Sequence, residues 1–159
     1  MATIVPEVNA TPFVDGVGVL LALARADPSL TGVNVFEDIP DHLMNYLPAL
    51  VISRAGGAST NPSFHSSFFV HMQVWSDATS EYPNDTFKAA FELSRKVEQL
   101  YYAAWRRQTV ALDEDGKPLG WIAKWRESSG FQRFTDPDLP HIGRYIGVYD
   151  LIIRNPRST

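Results

Sequence analysis

The sequence predicts an α+β fold in which a mostly antiparallel or mixed sheet is covered by two main helices and carries a protruding β-hairpin. Apolar residues between positions 84 and 108 recur with the period of an amphipathic helix. Residues 64–76 and 141–154 alternate between two sets of side chains, as strands do. Asp115 and Gly116 lie between two further strand-like runs and form a typical hairpin turn signal. This irregular order of helices and strands favours a sheet with its helices on one face.

Length and composition limit what kind of protein this is. The chain has 159 residues, of which 45% are hydrophobic and 20% charged, so we expect one domain over residues 1–159. Its ordered core should span about residues 12–154, followed by a polar tail at 155–159. A formal net charge of -4 argues against general nucleic-acid binding. The absence of cysteine excludes disulfides, thiolate metal ligands and cysteine nucleophiles.

No targeting or membrane segment is expected. The N-terminal residues have no basic region followed by an apolar run, so no signal peptide is predicted. The longest apolar stretch, residues 17–24, is far shorter than the roughly 20 residues that cross a bilayer.

The first half of the chain predicts one helix and three strands. The helix covers residues 12–26, with Thr11 as its cap, and the Asp27-Pro28 pair ends it. Close approach of the helix backbone to a neighbour would explain Gly16 and Gly18 inside this helix. Strands follow at residues 33–37, 49–54 and 64–76, with a Pro-bounded connection at 39–48 and a loop at 55–63.

The second half predicts the long helix, the hairpin and a closing strand. Asn84 or Asp85 can cap the helix over residues 84–108. The hairpin covers residues 109–134 around a turn at 113–118, and the last strand covers 141–154. By simple alternation, Trp121 and Trp125 share one face of the hairpin, while Lys124 and Arg126 share the other.

Neither catalysis nor metal binding is predicted. His65 and His71 share a strand face, but six strand residues separate them by about 20 Å, too far for one ion. No Gly-x-Ser-x-Gly motif is present. Two carboxylate pairs, Asp113 with Asp115 and Asp136 with Asp138, flank Gly or Pro, so turn formation explains them. We therefore expect a non-enzymatic protein with no catalytic residue, metal or cofactor.

Signals for a protein interface are stronger. The chain contains 4 Trp, 6 Tyr and 9 Phe, more than a small core readily absorbs. In the strand at 64–76, Phe68, Val70, Met72 and Val74 form the core side by alternation, which leaves Phe69 and Trp75 on the other side. The alternative is a sheet with helices on both faces, which would bury both sides. The candidate interface residues are His65, Phe69, His71, Trp75, Trp121, Trp125, Arg126, Asp136, Asp138 and Arg144.

The order of several short motifs resembles the tail terminator (tail completion) proteins of long-tailed bacteriophages. Residues 47–57 resemble the family's Leu-Pro, hydrophobic strand and Gly-Gly loop, and residues 69–77 are similar to its strand ending in Val-Trp. Residues 134–140, with their Asp-Pro-Asp sequence, then lead through Arg144 and Tyr145 into a closing strand. The likeness covers about residues 12–154. Eight positions match the motifs: Gly56, Gly57, Trp75, Asp136, Pro137, Asp138, Arg144 and Tyr145.

This resemblance implies a virion structural protein that forms a ring, expected to be a hexamer, at the head-proximal end of the tail. Such a ring assembles in the host cytoplasm, halts polymerisation of the tail tube and presents a surface to head-completion proteins. Its implied partners are copies of itself, the tail tube protein and the head-completion or connector protein. DNA passes through the ring without sequence-specific binding, and no membrane, catalysis or cofactor is involved. The hairpin at 109–134 is longer and more aromatic than the family pattern, so the resemblance assigns it no role.

Three alternatives remain open. One is a head–tail connector or stopper protein from the same assembly pathway. Another is a small ligand-binding or enzymatic α+β domain, which requires a deep pocket with convergent polar groups. The third is a single-strand nucleic-acid binder, because basic and aromatic residues are interleaved. Those residues are Arg106, Arg107, Lys124, Arg126 and Arg133 with Trp105, Trp121 and Trp125.

Overall fold

The computed structural model describes residues 15–57 and 65–156 of the chain. The elements in chain order are α1 (Gly16–Ala26), β1 (Asn34–Glu37), β2 (Ala49–Gly56), β3 (His65–Ser76), α2 (Thr86–Arg107), β4 (Ala111–Leu112), β5 (Pro118–Arg133) and β6 (Gly143–Arg154). Short 3-10 turns occur at Pro28–Leu30 and Leu43–Tyr46. The predicted α+β class is confirmed. No helix in the described ranges is long and apolar enough to cross a membrane.

The strands form a mixed six-stranded sheet in the order β1-β2-β3-β6-β5-β4. β1 pairs with β2 in parallel, and every other described pair is antiparallel. Both helices pack on one face, which we call the helix side. There Phe68, Val70, Met72 and Val74 of β3 share a core with Leu20 of α1 and with Val97 and Tyr101 of α2. The predicted core side of β3 is therefore confirmed. We call the opposite side of the sheet the outer face.

Helix α1 begins at Gly16 because the Asp15 carboxylate accepts a hydrogen bond from the Gly18 N–H at 2.8 Å. The predicted cap Thr11 and the start at residue 12 lie outside the described residues. Asp27 is extended and precedes Pro28, so the predicted end is confirmed. An added Cβ at Gly16 would overlap the Phe68 ring, which confirms the predicted close approach there. At Gly18 the neighbour is the capping carboxylate of Asp15 instead.

Helix α2 is capped by Asp85, whose carboxylate accepts from the Lys88 N–H at 2.9 Å. It ends at Gln108, which has a left-handed backbone. The buried residues of α2 are Ala89, Ala90, Leu93, Ser94, Val97, Leu100, Tyr101 and Ala104. Phe91 also follows the helical period of the apolar residues in α2, but it is 40% exposed and lies against Tyr145. The predicted helix is thus confirmed, while Phe91, which its period assigned to the buried side, is partly exposed.

The hairpin at 109–134 is present, with one correction to its proportions. β4 has only two residues, and it pairs with β5 through Ala111 with Gly120 and Leu112 with Pro118. β5 is 16 residues long and pairs with β6 from Trp121–Arg154 to Arg133–Tyr145. Most of the predicted hairpin is therefore an integral strand of the main sheet, because β6 offers a much longer partner than β4. The turn is as predicted, since the Asp113 carboxylate accepts from the N–H groups of Asp115 and Lys117.

A register shift between Ile122 and Lys124 changes which side chains of β5 share a face. Trp121 lies beside Arg154 on the outer face, and Ile122 lies beside Ile153 on the helix side. After the extra residue Ala123, Trp125 lies beside Leu151 on the helix side and Lys124 lies on the outer face. Trp121 and Trp125 are consequently on opposite faces, which corrects the prediction from simple alternation.

Candidate protein interface on the outer sheet face

The outer face collects most of the candidate interface residues from three neighbouring strands. β3 contributes His65, Ser67, Phe69, His71, Gln73 and Trp75. β6 contributes Arg144, Ile146, Val148, Asp150, Ile152 and Arg154, and β5 contributes Trp121, Lys124 and Arg126. One end of this face is covered by loops of the same chain, while over the other end, which we call the open end, no described residue lies.

At the covered end, Trp75 belongs to a second buried cluster. It packs with Leu43, Ala49, Val51 and Ile142, and the half-buried residues Phe36, Leu47 and Leu139 lie against them. The loop after β1 and the loop before β6 thus cross the outer face here. Trp75 is only 5% exposed, so the expectation that it lies on an open surface is wrong. Strand alternation placed it on the correct face but could not foresee loops above it.

Arg144 joins several of the motif residues in one packed group. Its guanidinium lies 4.1 Å from the ring centre of Trp75 and 4.4 Å from that of Phe134. One terminal nitrogen of Arg144 donates a hydrogen bond of 2.7 Å to Gln73 Oε1. Partial burial lowers the pKa of Arg144, and the negative charge of Asp136 acts in the opposite direction. These contacts give Trp75, Asp136 and Arg144 a role within the fold.

The Asp136-Pro137-Asp138 segment forms a turn. The Asp136 carboxylate accepts from the Asp138 N–H at 2.9 Å, and the Asp136 carbonyl accepts from the Leu139 N–H at 3.1 Å. Asp138 is exposed, and its side chain has no ion pair within the described part of the chain. Asp136 therefore shapes the turn, and the expectation that Asp138 contacts a partner stays a prediction.

At the open end, exposed and charged side chains lie side by side across three strands. Phe69, Asp150 and Arg126 occupy matching positions on β3, β6 and β5. Phe69 is 40% exposed, and His71 next to it on the same face is exposed as well. The buried Asp150 carboxylate lies 2.9 Å from Lys124 Nζ and 3.5 Å from Arg126 Nη2. Ile146, Val148 and Ile152, all half-buried, add an apolar row along β6.

The structure places the β3 face and the long strand of the predicted hairpin on one surface. In the structure, Phe69 of β3 and Arg126 of β5 are separated by one strand on the same open surface. Sequence reasoning missed the β6 residues that join them, although the alternation of Ile146, Val148 and Ile152 was a usable signal.

The two tryptophans of β5 have different surroundings. Trp125 stacks on Tyr149 at 4.3 Å and on Tyr101 at 5.3 Å between ring centres, on the helix side. The Tyr149 hydroxyl donates to Glu98 Oε1 at 2.9 Å. Trp121 is half-buried on the outer face, where Arg154 and His65 are its neighbours across the sheet. The basic and aromatic residues on which the nucleic-acid hypothesis depends are therefore distributed over both faces of the sheet.

The free edge of β5 is a feature that sequence reasoning missed. β4 pairs only with the start of β5, so from Trp121 onwards β5 has a described strand partner only on its β6 side. Unpaired strand edges can accept another strand or another subunit. The mismatch between the two-residue β4 and the 16-residue β5 produces this edge.

The described surface carries several hollows of about 270–470 Å³. One of about 330 Å³ lies between α1, the end of α2 and β4, and its lining is mainly Ala, Leu and Val side chains. Within residues 15–57 and 65–156, no group of three or more His, Asp or Glu side chains is placed to hold a metal ion. Neither observation identifies a ligand or a catalytic centre.

Comparison with known proteins gives one informative similarity. No family model matches the chain. The gene 22 protein of Mycobacterium phage D29 is 28% identical over 143 residues, an alignment that covers 89% of this chain and 93% of that protein. A match over nearly the full length of both proteins indicates a shared domain rather than a shared motif. The similarity supports a bacteriophage origin for this chain and a phage-related role.

Proposed function

We propose that the chain is a tail terminator, a virion structural protein that forms a ring at the head-proximal end of the tail. The ring, expected to be a hexamer, caps the tail tube, stops its polymerisation and forms the surface that joins the head. This proposal is supported by the similarity to a mycobacteriophage protein and by the order of motifs in residues 47–57, 69–77 and 134–145.

The open end of the outer face is the observation that carries the proposal. The sheet has both of its helices on one side, and at the open end no described loop lies over Phe69, His71 or Arg126. Exposed aromatic and arginine side chains beside an apolar row are typical of protein interfaces. Contiguous surfaces of this kind on a small protein commonly bind a partner. A ring subunit needs such a surface for its neighbours or for the tube.

Deletion of the gene from the phage tests the function directly. The expected result is tails of abnormal length that are not joined to heads, because nothing stops tube growth. Expression of the wild-type chain from a plasmid should restore uniform tails. Electron microscopy of tail length measures both outcomes, and negative-stain images of the purified protein should show a six-fold ring.

The gene deletion also distinguishes a tail terminator from a head–tail connector or stopper. Tails of uniform normal length beside filled but unjoined heads would contradict a terminator and indicate a head–tail connector or stopper. The variant Phe69→Asp, which changes an exposed side chain of the open end, can be expressed in the deletion phage in place of the wild-type chain. Its protein should fold normally and still fail to restore tail length.

A further inference from the structure

Charged side chains of opposite sign lie at the β1 end of the sheet and on the outer face of β5. From Ala26 to Ser53 the chain contains no Lys or Arg, and it contains four carboxylates. Three of them, Glu37, Asp38 and Asp41, lie at the end of β1 or just after it and are exposed. None of these three has an ion pair within the described ranges. The β1 end of the molecule is thus an unneutralised acidic surface.

The β5 edge has the complementary charge on the outer face. Lys124 and Arg126 share the single carboxylate of Asp150, which leaves an excess positive charge. The Arg126 side chain is 67% exposed, so it can reach a second partner. From Trp121 onwards the backbone edge beside it has no described strand partner.

Charged side chains on the helix side do not add to this match. On β5, Glu127 lies on the helix side, where it borders a groove with Glu98 and Tyr102. On the β1 side, Glu37 pairs with Ile52 of the helix-side core, and Arg25 of α1 donates a hydrogen bond of 2.9 Å to the Val35 carbonyl. The charge match between two copies is therefore confined to the outer face.

Apolar side chains accompany the acidic surface. Ile39, Met44 and Tyr46 follow β1, and their exposed fractions are 52%, 39% and 44%. The backbone N–H groups of Asn34 and Asp38 donate hydrogen bonds to the carbonyls of Pro48 and Ile52. The backbone N–H and C=O groups of Val35 and Glu37 therefore point away from β2. The β1 edge is thus a second, different surface at the far end of the sheet from β5.

We propose that the β5 edge of one protomer docks on the β1 edge of a second copy of this chain, with Lys124 and Arg126 facing Asp38 and Asp41. The contact joins two different patches, so it is heterologous and repeats head to tail. Such a contact closes into a ring when the rotation between neighbours allows it. This inference rests on the proposed ring and names the two surfaces that build it.

A charge exchange measured by sedimentation velocity tests the contact. Arg126→Glu and Asp41→Arg should each weaken self-association at least about tenfold, since each places like charges together. The double variant Arg126→Glu/Asp41→Arg should recover to within about threefold of wild type. Asp41 is preferred to Asp38 for the arginine because Asp38 has a φ of 58°. Asp38→Asn, which keeps a residue that tolerates this backbone, should weaken association more mildly.

The control is Arg95→Glu, which reverses an exposed charge on α2 away from both edges and should leave association unchanged. Circular dichroism and urea midpoints equal to wild type establish that each variant is folded. A wild-type chain that stays monomeric at millimolar concentration overturns the contact, and so does a double variant that associates no better than the single ones. If the exchange behaves as expected but deletion of the gene leaves tails normal, the contact stands and the terminator function fails.

Discussion

Trp75 and Phe69 occupy the same face of β3, yet their side chains are 5% and 40% exposed. The difference arises from the loops before β6 and after β1, which cover Trp75 together with Ile142 and Leu43. Phe69 lies nearer the start of β3, beside the pair of Asp150 and Arg126. The two residues therefore affect different properties, folding for Trp75 and binding of a partner for Phe69.

Trp75→Ala should lower the free energy of unfolding by about 3–5 kcal/mol, because it leaves a cavity and removes one ring from the Arg144 guanidinium. Phe69→Ala should lower it by about 1 kcal/mol or less, since its side chain is partly exposed. Urea unfolding measures both values.

Complementation of the gene deletion supplies the second readout for this pair. Phe69→Ala should fail to restore tail length while the fold stays intact. Equal urea midpoints for the two variants would contradict the assignment of Trp75 to the core and Phe69 to the open surface.

Stability should fall in alkali because two buried phenols must stay neutral in the folded state. Burial raises the pKa of Tyr101, and burial together with Glu98 raises the pKa of Tyr149. An acid whose pKa is raised by folding contributes stability below its unfolded pKa, about 10 for tyrosine, and that contribution is lost as the pH rises further.

Urea midpoints measured from pH 8 to 11 should therefore decline above about pH 10. Tyr101→Phe should lower stability at neutral pH by about 1 kcal/mol, since it removes the hydroxyl that donates to the Leu20 carbonyl at 2.8 Å. It should also flatten the alkaline decline. A decline of unchanged steepness in Tyr101→Phe would mean that other groups cause it.

At the scale of elements, helix α1 and β3 meet at Gly16, where an added Cβ would overlap the Phe68 ring. Helix propensity alone predicts that Gly16→Ala stabilises the chain by up to about 1 kcal/mol. The overlap reverses that sign, and we expect destabilisation of about 1–3 kcal/mol by thermal or urea unfolding. Adding Phe68→Leu should remove part of the new loss, as a double-mutant cycle would show. Stabilisation by Gly16→Ala would place the helix further from β3.

The elements themselves were largely predictable, and their pairing was not. Asp85, Asp27 and Pro28 are local signals, so the limits they set on α1 and α2 agree with the structure. The pairing of β5 with β6 depends on contacts from Arg133 with Tyr145 to Trp121 with Arg154, and strand periodicity does not encode such pairing. The bulge at Ala123 reverses the alternation that periodicity assumes.

At the scale of the whole molecule, the formal charge of -4 conceals an uneven distribution. The acidic surface lies at the β1 end, and the excess of basic side chains lies at the β5 end of the outer face. Length and composition predicted a single domain but not this polarity, because the polarity depends on strand order. The outer face was likewise predictable from the alternation in β3, but the extent of its exposed part depends on the loops after β1 and before β6.

Self-association should weaken as salt increases if the charged edges drive it. Raising NaCl from about 0.1 M to 1 M shortens the Debye length from about 10 Å to about 3 Å. Sedimentation velocity across this range should show smaller species at high salt, and the charge-exchanged double variant should respond in the same way. Association that strengthens with salt would indicate an interface dominated by Phe69, Ile146 and other apolar side chains.

The extra residue at Ala123 has a consequence for comparing relatives of this protein. A relative that lacks this one residue would lose the bulge and, by simple alternation, would still place the counterpart of Lys124 on the outer face and that of Trp125 on the helix side. A single-residue gap aligned with Ala123 should therefore be tolerated among relatives. A relative that keeps this residue but pairs without the bulge would exchange the two faces, so its aromatic stack and its Asp150 pair should change together.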